Sequence, residues 1–529
     1  MTLSRRTLLG QSAALLAPLL LTRPGRSAAG AAASLSVRAH GAQGNGVTKD
    51  TRAIQATIDA ASASRGTVYF PPGEYVSGTL RLRSRVTVHL AAGATLIASP
   101  DDGDFDPPRK PTYESFADSE TTDFDFALLQ GRGLQQVAIR GPGRIDGNRT
   151  RRGGPKPIAL KQCRAIRIRD LTIDNAPNYN ISLLGCDGVE VAGVTIRNGY
   201  ADGIDPDCCR NVRITRCRIE SRDDAIVAKT SLALGERRST ENVLVTDCAL
   251  VNVRNALKLG TESSGDFRNI VFRNCTVTAR AEGWKPYPRE WKPLPSAGVS
   301  LEAVDGGRLE QVVVSGITMV GVGAPIFVRG ARRGRGQSAS AAGEVRNISI
   351  SDIVATGTRW TSSITGIPGH PVSDITLRNI RIASRGGGDD AVTLREVPEH
   401  EKRYPDAAMF PVLPAYGLYA RHVRRLSVER IQLIVDQPDE RPAVTLDDVR
   451  ETSWRTMAAT PPADDGPVLW LRSVRDCRLH DLRAPAAETL VRLSGPATAR
   501  VRLAGKAPTH RRVVVDADVD TTALQTEES

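Results

Sequence analysis

The chain repeats one pattern. A polar residue or glycine is followed by apolar–any–apolar, two loose positions, a small or apolar residue, any residue, and an apolar one. It reads QVAIRGPGRI at 136–145, AIRIRDLTI at 165–173, GVEVAGVTI at 188–196 and NVRITRCRI at 211–219. It continues as NVLVTDCAL (242–250), NIVFRNCTV (269–277), QVVVSGITM (311–319), NISISDIVA (347–355), DITLRNIRI (374–382) and RLSVERIQL (425–433), with a weaker copy, DCRLHDLRA, from Asp476. Copies starting from 165 to 269 are spaced by 23, 23, 31 and 27 residues, and later intervals lengthen as loops are inserted. Period-two alternation turns one face of each strand inward, so a copy predicts two short strands joined by a bend at a small residue. One copy cannot bury its own apolar face, but a stack of copies can. The predicted fold is therefore all-β, a right-handed parallel β-helix. Leucine-rich repeats lack support because the LxxLxL spacing is missing, and a propeller would need longer blades with antiparallel hairpins. Scarce aromatics (4%) and 47 glycines suit many short strands and turns.

A solenoid needs its open end capped. GNGVTKDTRAIQATIDAASASRGTVYFPPGEY (44–75) supplies a helix over 50–62, with Asp50 as N-cap, Ile54, Ile58 and Ala61 on one face, and Gly66 as its end. The N-terminal cap is placed at 40–75. Strands near Val513–Val519 close the far end, and the final ALQTEES reads as frayed. Ahead of the cap, SRRTLL and the apolar run Ala13–Leu21 are too short to span a bilayer and read as a twin-arginine export signal. Residues 1–33 are expected to be removed, leaving one β-helix domain over 34–529, periplasmic or extracellular. No cysteine lies near the cleavage region, so no lipid or other membrane anchor is expected. Losing Arg5, Arg6, Arg23 and Arg26 lowers the formal charge of +12 by four. A basic exported chain meets acidic polymers rather than nucleic acid.

Eight cysteines in an exported chain invite disulfides, but their spacing follows the repeat. Cys163, Cys186 and Cys209 are 23 residues apart, and Cys217, Cys248 and Cys275 follow at similar intervals. This predicts interior columns of small apolar side chains, with Cys208 or Cys209 free to pair with a neighbour. No CxxC pair supports zinc.

Three carboxylates share one phase of the repeat. Asp202 lies 14 residues after Gly188, and Asp223 and Asp224 lie 12 and 13 after Asn211. Arg254 is 12 after Asn242, and Glu282 is 13 after Asn269. Successive coils are about 4.8 Å apart, so these side chains should share one patch. Asp also caps turns, and a single DG or DD would be read that way. Three in phase, with Lys229, Arg254 and Lys258 beside them, predict a reactive cluster. Crowding should raise one carboxyl pKa, making an acid and a base from identical side chains, as glycoside hydrolysis requires.

At these residues the chain resembles glycoside hydrolase family 28, the polygalacturonase family, from about Ala39 to about Val449. The motifs are GAQGNGVTKDTRAIQATIDA, GTVYFPPGEY, GPGRIDG (141–147), YADGIDP, RDDAIVAKTS and KLGTESSGDFRNI (258–270). The resemblance implies an inverting glycosidase in which Asp223 protonates the leaving oxygen while Asp202 and Asp224 activate water. Lys229, Arg254, Lys258, Glu262 and Glu302 become candidate substrate-binding residues, with no cofactor and no metal. The chain departs from the family twice. Val253-Arg254-Asn255 replaces Gly-His-Gly, and Ser300-Leu301-Glu302 replaces Arg-x-Lys, groups tied in the family to the acid dyad and the galacturonate carboxylate. Glycosidase chemistry is thus better supported than galacturonan as substrate. Glu302 and Asp305 are read either as partners of neutral sugar hydroxyls or as solvated turn carboxylates, and Arg254 as a cation for a uronate.

EGWKPYPREWKPLP (282–295) sets Trp284, Tyr287 and Trp291 beside the expected cleft, as sugar platforms or as cover for the solenoid flank. RGARRGRGQSASAAGE (329–344) reads as a solvated, mobile basic loop. The expected partner is a polysaccharide or oligosaccharide, possibly acidic, bound by a monomer. Two other functions fit the same fold: a polysaccharide lyase with Ca²⁺ on the Asp cluster and Arg254 as base, and a non-catalytic carbohydrate-binding β-helix.

Overall fold

The computed structural model describes residues 34–122, 124–252, 254–280, 296–335, 337, 341–392, 395–485, 487–504 and 512–527. The expected export signal, Glu282 and the insertion carrying Trp284, Tyr287 and Trp291 lie outside them.

Every pairing between named strands is parallel, and it runs unbroken from Ser34–Ser36 to Leu524–Glu527. Parallel strands joined by crossovers wind in the right-handed sense, and the architecture is a right-handed parallel β-helix. The repeated apolar positions stack into interior columns. One column runs Ile139, Ile168, Val191, Ile214, Val245, Phe272, Val314, Ile350, Leu377, Val428, Trp454 and Leu479, each buried against its neighbour one coil away. Burying such a side chain is worth about 1.5–3 kcal/mol, so the columns hold the coils together.

Each coil carries one more strand than the repeat predicts. Ile181–Leu184, Ile204–Asp207, Ile226–Thr230, Leu257–Ser263 and Ala297–Ala303 form a third sheet. These strands are buried throughout, because chain segments cover their outer side. With both faces covered they lack alternation, which hid them from the pattern.

The capping helix spans Thr51–Ser64 and buries Ile54, Ile58 and Ala61. Asp50 occupies its N-cap position but makes no side-chain cap bond. Its carboxylate instead accepts from the amides of Gln43 (2.7 Å) and Gly44 (2.9 Å), folding the preceding loop. Arg65, in the left-handed region at φ 53°, ends the helix just before Gly66. At the other end Arg512–Val515 pairs with Thr489–Ser494. The tail expected to fray forms the strand Leu524–Glu527, paired to Ala499–Ala504. All eight cysteines are buried and free, so neither Cys208 nor Cys209 is bridged. The Cys209 thiol takes the amide of Cys186 at 3.3 Å, and Thr240 Oγ1 takes the amide of Cys209 at 3.2 Å, so the thiols extend a polar column between coils. Among the described residues no helix is long and apolar enough to cross a membrane.

Candidate active site

The bend before each third-sheet strand carries the site. Asn180, Asp202, Asp224 and Asn255 occupy the same place on four successive coils. The backbone links them stepwise: Asn180 N–H donates to Asp202 O (2.9 Å), Gly203 N–H to Asp224 O (2.9 Å), and Ala225 N–H to Asn255 O (2.9 Å). Gly203 is required there, since a Cβ would stand 2.4 Å from Ala225 O. Side chains lock the column as well. Asp202 Oδ1 accepts from the amide of Asp224 at 3.2 Å, and Asp224 Oδ1 accepts from the amide (3.0 Å) and side chain (2.7 Å) of Asn255.

The expected convergence of Asp202, Asp223 and Asp224 is present: one oxygen from each lies within 4.8 Å of the others. Each carboxylate has its own cation. Lys229 Nζ donates to Asp202 (3.1 Å), Asp205 (2.7 Å) and the Tyr179 hydroxyl (3.1 Å). Lys258 Nζ lies 3.1 Å from Asp224. Arg152, from the loop ahead of the strand Lys156–Lys161, pairs with Asp223 and with Glu120.

The carboxyls are driven apart electrostatically. Burial pushes Asp202 well above the usual carboxylate range; Lys229 opposes it, while Asp223 and Asp224 add to it. Burial would also raise Asp223, but the Arg152 guanidinium, with Arg254 and Lys258, outweighs it and holds Asp223 below its ordinary value. The raised carboxyl is therefore Asp202, whereas the acid role implied by the resemblance falls on Asp223. For Lys229 and Lys258 burial favours loss of the proton, yet Asp205 and Asp224 respectively keep both strongly protonated.

The cleft around these groups has a volume of about 470 Å³. Arg254 lines it but is paired to Asp406 at 2.6 Å. Glu262 lines it too, held by Arg335 at 2.9 Å, with burial and the charge of Asp118 raising its carboxyl. Lys229 and Lys258 line it with their ammonium groups committed to carboxylates, so they position the acids.

Glu302 and Asp305 differ from expectation. Glu302 is fully buried rather than solvated and stands outside the cleft lining; its carboxylate accepts from Ser300 Oγ at 2.6 Å, and burial pushes it up to about 7. Asp305 is buried and gripped by Arg333 at 2.6 Å, which leaves it no role toward a sugar. The described part of the basic loop 329–344 folds inward because carboxylates await it. Arg333 takes Asp305, and Arg335 bridges Glu262 to Asp118 at 2.6 Å. Arg329 is buried, donating to Gly366 O at 2.9 Å.

Several lining residues were not singled out from sequence: Asp118, Glu120, Arg152, Tyr179, Arg333 and Tyr404. Tyr179 was within reach, since it directly precedes Asn180 of the in-phase column. The others arrive on segments between coils. Tyr404 and Asp406 are delivered by an insertion whose Val397, Met409, Phe410 and Leu413 pack on Phe327 and Tyr419 of the solenoid.

The family model described as "Rhamnogalacturonase A/epimerase, pectate lyase-like" matches residues 34–93, which hold the cap. The model "Glycosyl hydrolases family 28" matches residues 112–233, which hold Arg152 and all three clustered aspartates. The chain belongs to glycosyl hydrolases family 28. A "Probable polygalacturonase" of Vitis vinifera is 27% identical over 385 residues, covering 66% of this family 28 chain and 75% of that protein. The hyperthermoactive exopolygalacturonase of Thermotoga maritima superposes with a TM-score of 0.55 at 19% identity, over 74% of this chain and 91% of that one. The family 28 exopolygalacturonase of Yersinia enterocolitica does so with 0.51 at 15% identity, over 92% and 78%. At these identities the two structures carry the fold. By family, the protein is a glycosidase.

Proposed function

We propose that this family 28 glycosidase hydrolyses a linkage in a branched or rhamnose-containing pectic glycan, with Asp202, Asp223 and Asp224 as the reacting carboxyls. The observation that carries the reading is the cluster itself: three carboxyl oxygens within 4.8 Å of one another, each carboxylate paired with a cation, in a cleft that fits sugar rings. In this reading Asp223 gives its proton to the leaving oxygen, and Asp202 and Asp224 orient and deprotonate water. Arg152 holds Asp223 ionised in the free protein, so Asp223 takes up a proton only as Arg152 lets go. A substrate group engaging Arg152 would bring that about. Inversion rests on the resemblance. Carboxyl separations of about 6.5–9.5 Å accompany inversion and about 5–5.5 Å retention, and the tight cluster does not itself speak for inversion.

The cleft's cations are matched by carboxylates: Arg152 by Asp223, Arg254 by Asp406, Arg335 by Glu262. Plain polygalacturonan, with a carboxylate on every ring, is therefore expected to be a poor substrate. A Ca²⁺-dependent lyase is disfavoured by the same pairs, because the ion would have to displace Lys229, Lys258 and Arg152. We read residues 1–33 as an export signal that delivers the enzyme to such a polymer. The test is a screen of purified protein against pectic oligosaccharides, scoring new reducing ends and the anomer first released. Release from rhamnose-containing fragments but not from polygalacturonan supports the reading. An unsaturated, ultraviolet-absorbing product abolished by chelator replaces it with the lyase.

A further inference from the structure

A second cleft, of about 580 Å³, lies at the N-terminal end of the third sheet. Six cations line it: Arg81, Arg83, Arg109, Lys110, Arg132 and Lys161. Only two carboxylates join them, Asp106 and Asp125. Asp106 is taken by Arg81, and Asp125 by Arg132 at 2.6 Å with Arg109 at 3.8 Å. Lys110 and Lys161 have no carboxylate partner among the described residues. This differs from the catalytic cleft, where each cation named above is matched. Lys161 accordingly sits below the ordinary lysine range, through burial and the charge of Arg132.

The walls are suited to a sugar as well as to charge. Tyr113 lines the cleft, is 36% exposed, and is fixed by its hydroxyl donating to Ala233 O at 2.6 Å. Gln130 and Thr112 add hydrogen-bonding groups, and Leu82 and Leu134 an apolar floor. The cleft is also connected to the catalytic one through the chain. The segment that supplies Arg109–Tyr113 goes on to supply Asp118 and Glu120 to the active site. The strand Lys156–Lys161 follows the loop bearing Arg152 and ends at Lys161, about 16 Å along at roughly 3.3 Å per residue.

We propose that this second cleft binds a uronate-bearing stretch of the glycan, its cations taking the carboxylates and Tyr113 a ring face. The inference rests on the pectic reading above and deepens it: the bond is cleaved in a charge-balanced cleft, while an acidic portion of the same polymer is held outside it.

The test uses the full chain carrying Asp223→Asn, so that turnover does not disturb binding. Oligogalacturonate of about ten residues is titrated calorimetrically at about 0.01 M ionic strength, where screening reaches about 30 Å. Lys110→Glu with Lys161→Glu is then added; both lysines lack ion partners, so no carboxylate is orphaned, and unchanged melting confirms the fold. Affinity should fall at least tenfold, and the parent's affinity should weaken steeply towards about 0.15 M salt. Tyr113→Ala should weaken oligogalacturonate binding but not that of inorganic sulfate. Equal oligogalacturonate affinity with and without the lysines overturns the proposal, as does sulfate competing as well as the oligosaccharide. Pectic hydrolysis with no lysine-dependent binding would sink the second cleft alone. Lysine-dependent binding without any pectic hydrolysis would sink the functional reading alone.

Discussion

Arg152 donates to Asp223 across 71 residues of sequence, and its Nε donates to Glu120 at 2.8 Å. One guanidinium thus ties the carboxylate assigned as general acid to the segment that walls the cleft. A general acid must be protonated to act, so kcat/KM should fall as pH rises through the Asp223 pKa. Arg152 keeps that pKa below its ordinary value. Removing the cation raises it, and Arg152→Ala should move the alkaline limb of the pH profile upward, by about 1–3 units for loss of an adjacent opposite charge. A limb that stays in place or moves down would show that Asp223 is not the titrating acid.

Lys229 serves two buried carboxylates, Asp202 at 3.1 Å and Asp205 at 2.7 Å. Lys229→Met keeps most of the side-chain volume and strands both. Breaking a buried ion pair from one side costs about 3–5 kcal/mol, so chemical denaturation should show a loss of that order. Restoring neutrality with Asp205→Asn in the same chain should recover part of it. A Lys229→Met protein as stable as the parent would mean that the ammonium contributes no net stabilisation.

The eight cysteines should behave as packing groups. All are buried and unbridged, so a thiol reagent should modify few of them in the folded protein and all eight in denaturant without reductant. Mass spectrometry of unreduced protein showing three or four bridges would contradict this.

What the sequence could reveal follows the period. Asp202, Asp223 and Asp224 were legible because a residue fixed in phase is fixed in space, and the interior columns because the repeat alternates. The third-sheet strands were not, since Ile226–Thr230 is covered on both faces and loses alternation. Arg152, Arg335 and Tyr404 were not either, because they sit on segments between coils, where distance along the chain says nothing about distance in space. Glu302 and Asp305 were judged by charge alone; their burial comes from the neighbouring coil and from Arg333. The basic loop was misread for the same reason, as its carboxylate partners Glu262 and Asp118 lie 73 and 217 residues away from Arg335.

The central claim is that the Asp cluster hydrolyses a glycosidic bond, with Asp223 as the acid. The direct measurement is the initial rate of reducing-end release from rhamnose-containing pectic oligosaccharides by the parent and by Asp223→Asn. Asn fills the same space but cannot donate an acidic proton. The account predicts measurable release by the parent and a loss of about 10²–10⁴-fold in kcat, with KM changed far less. Equal rates from the two proteins would contradict it.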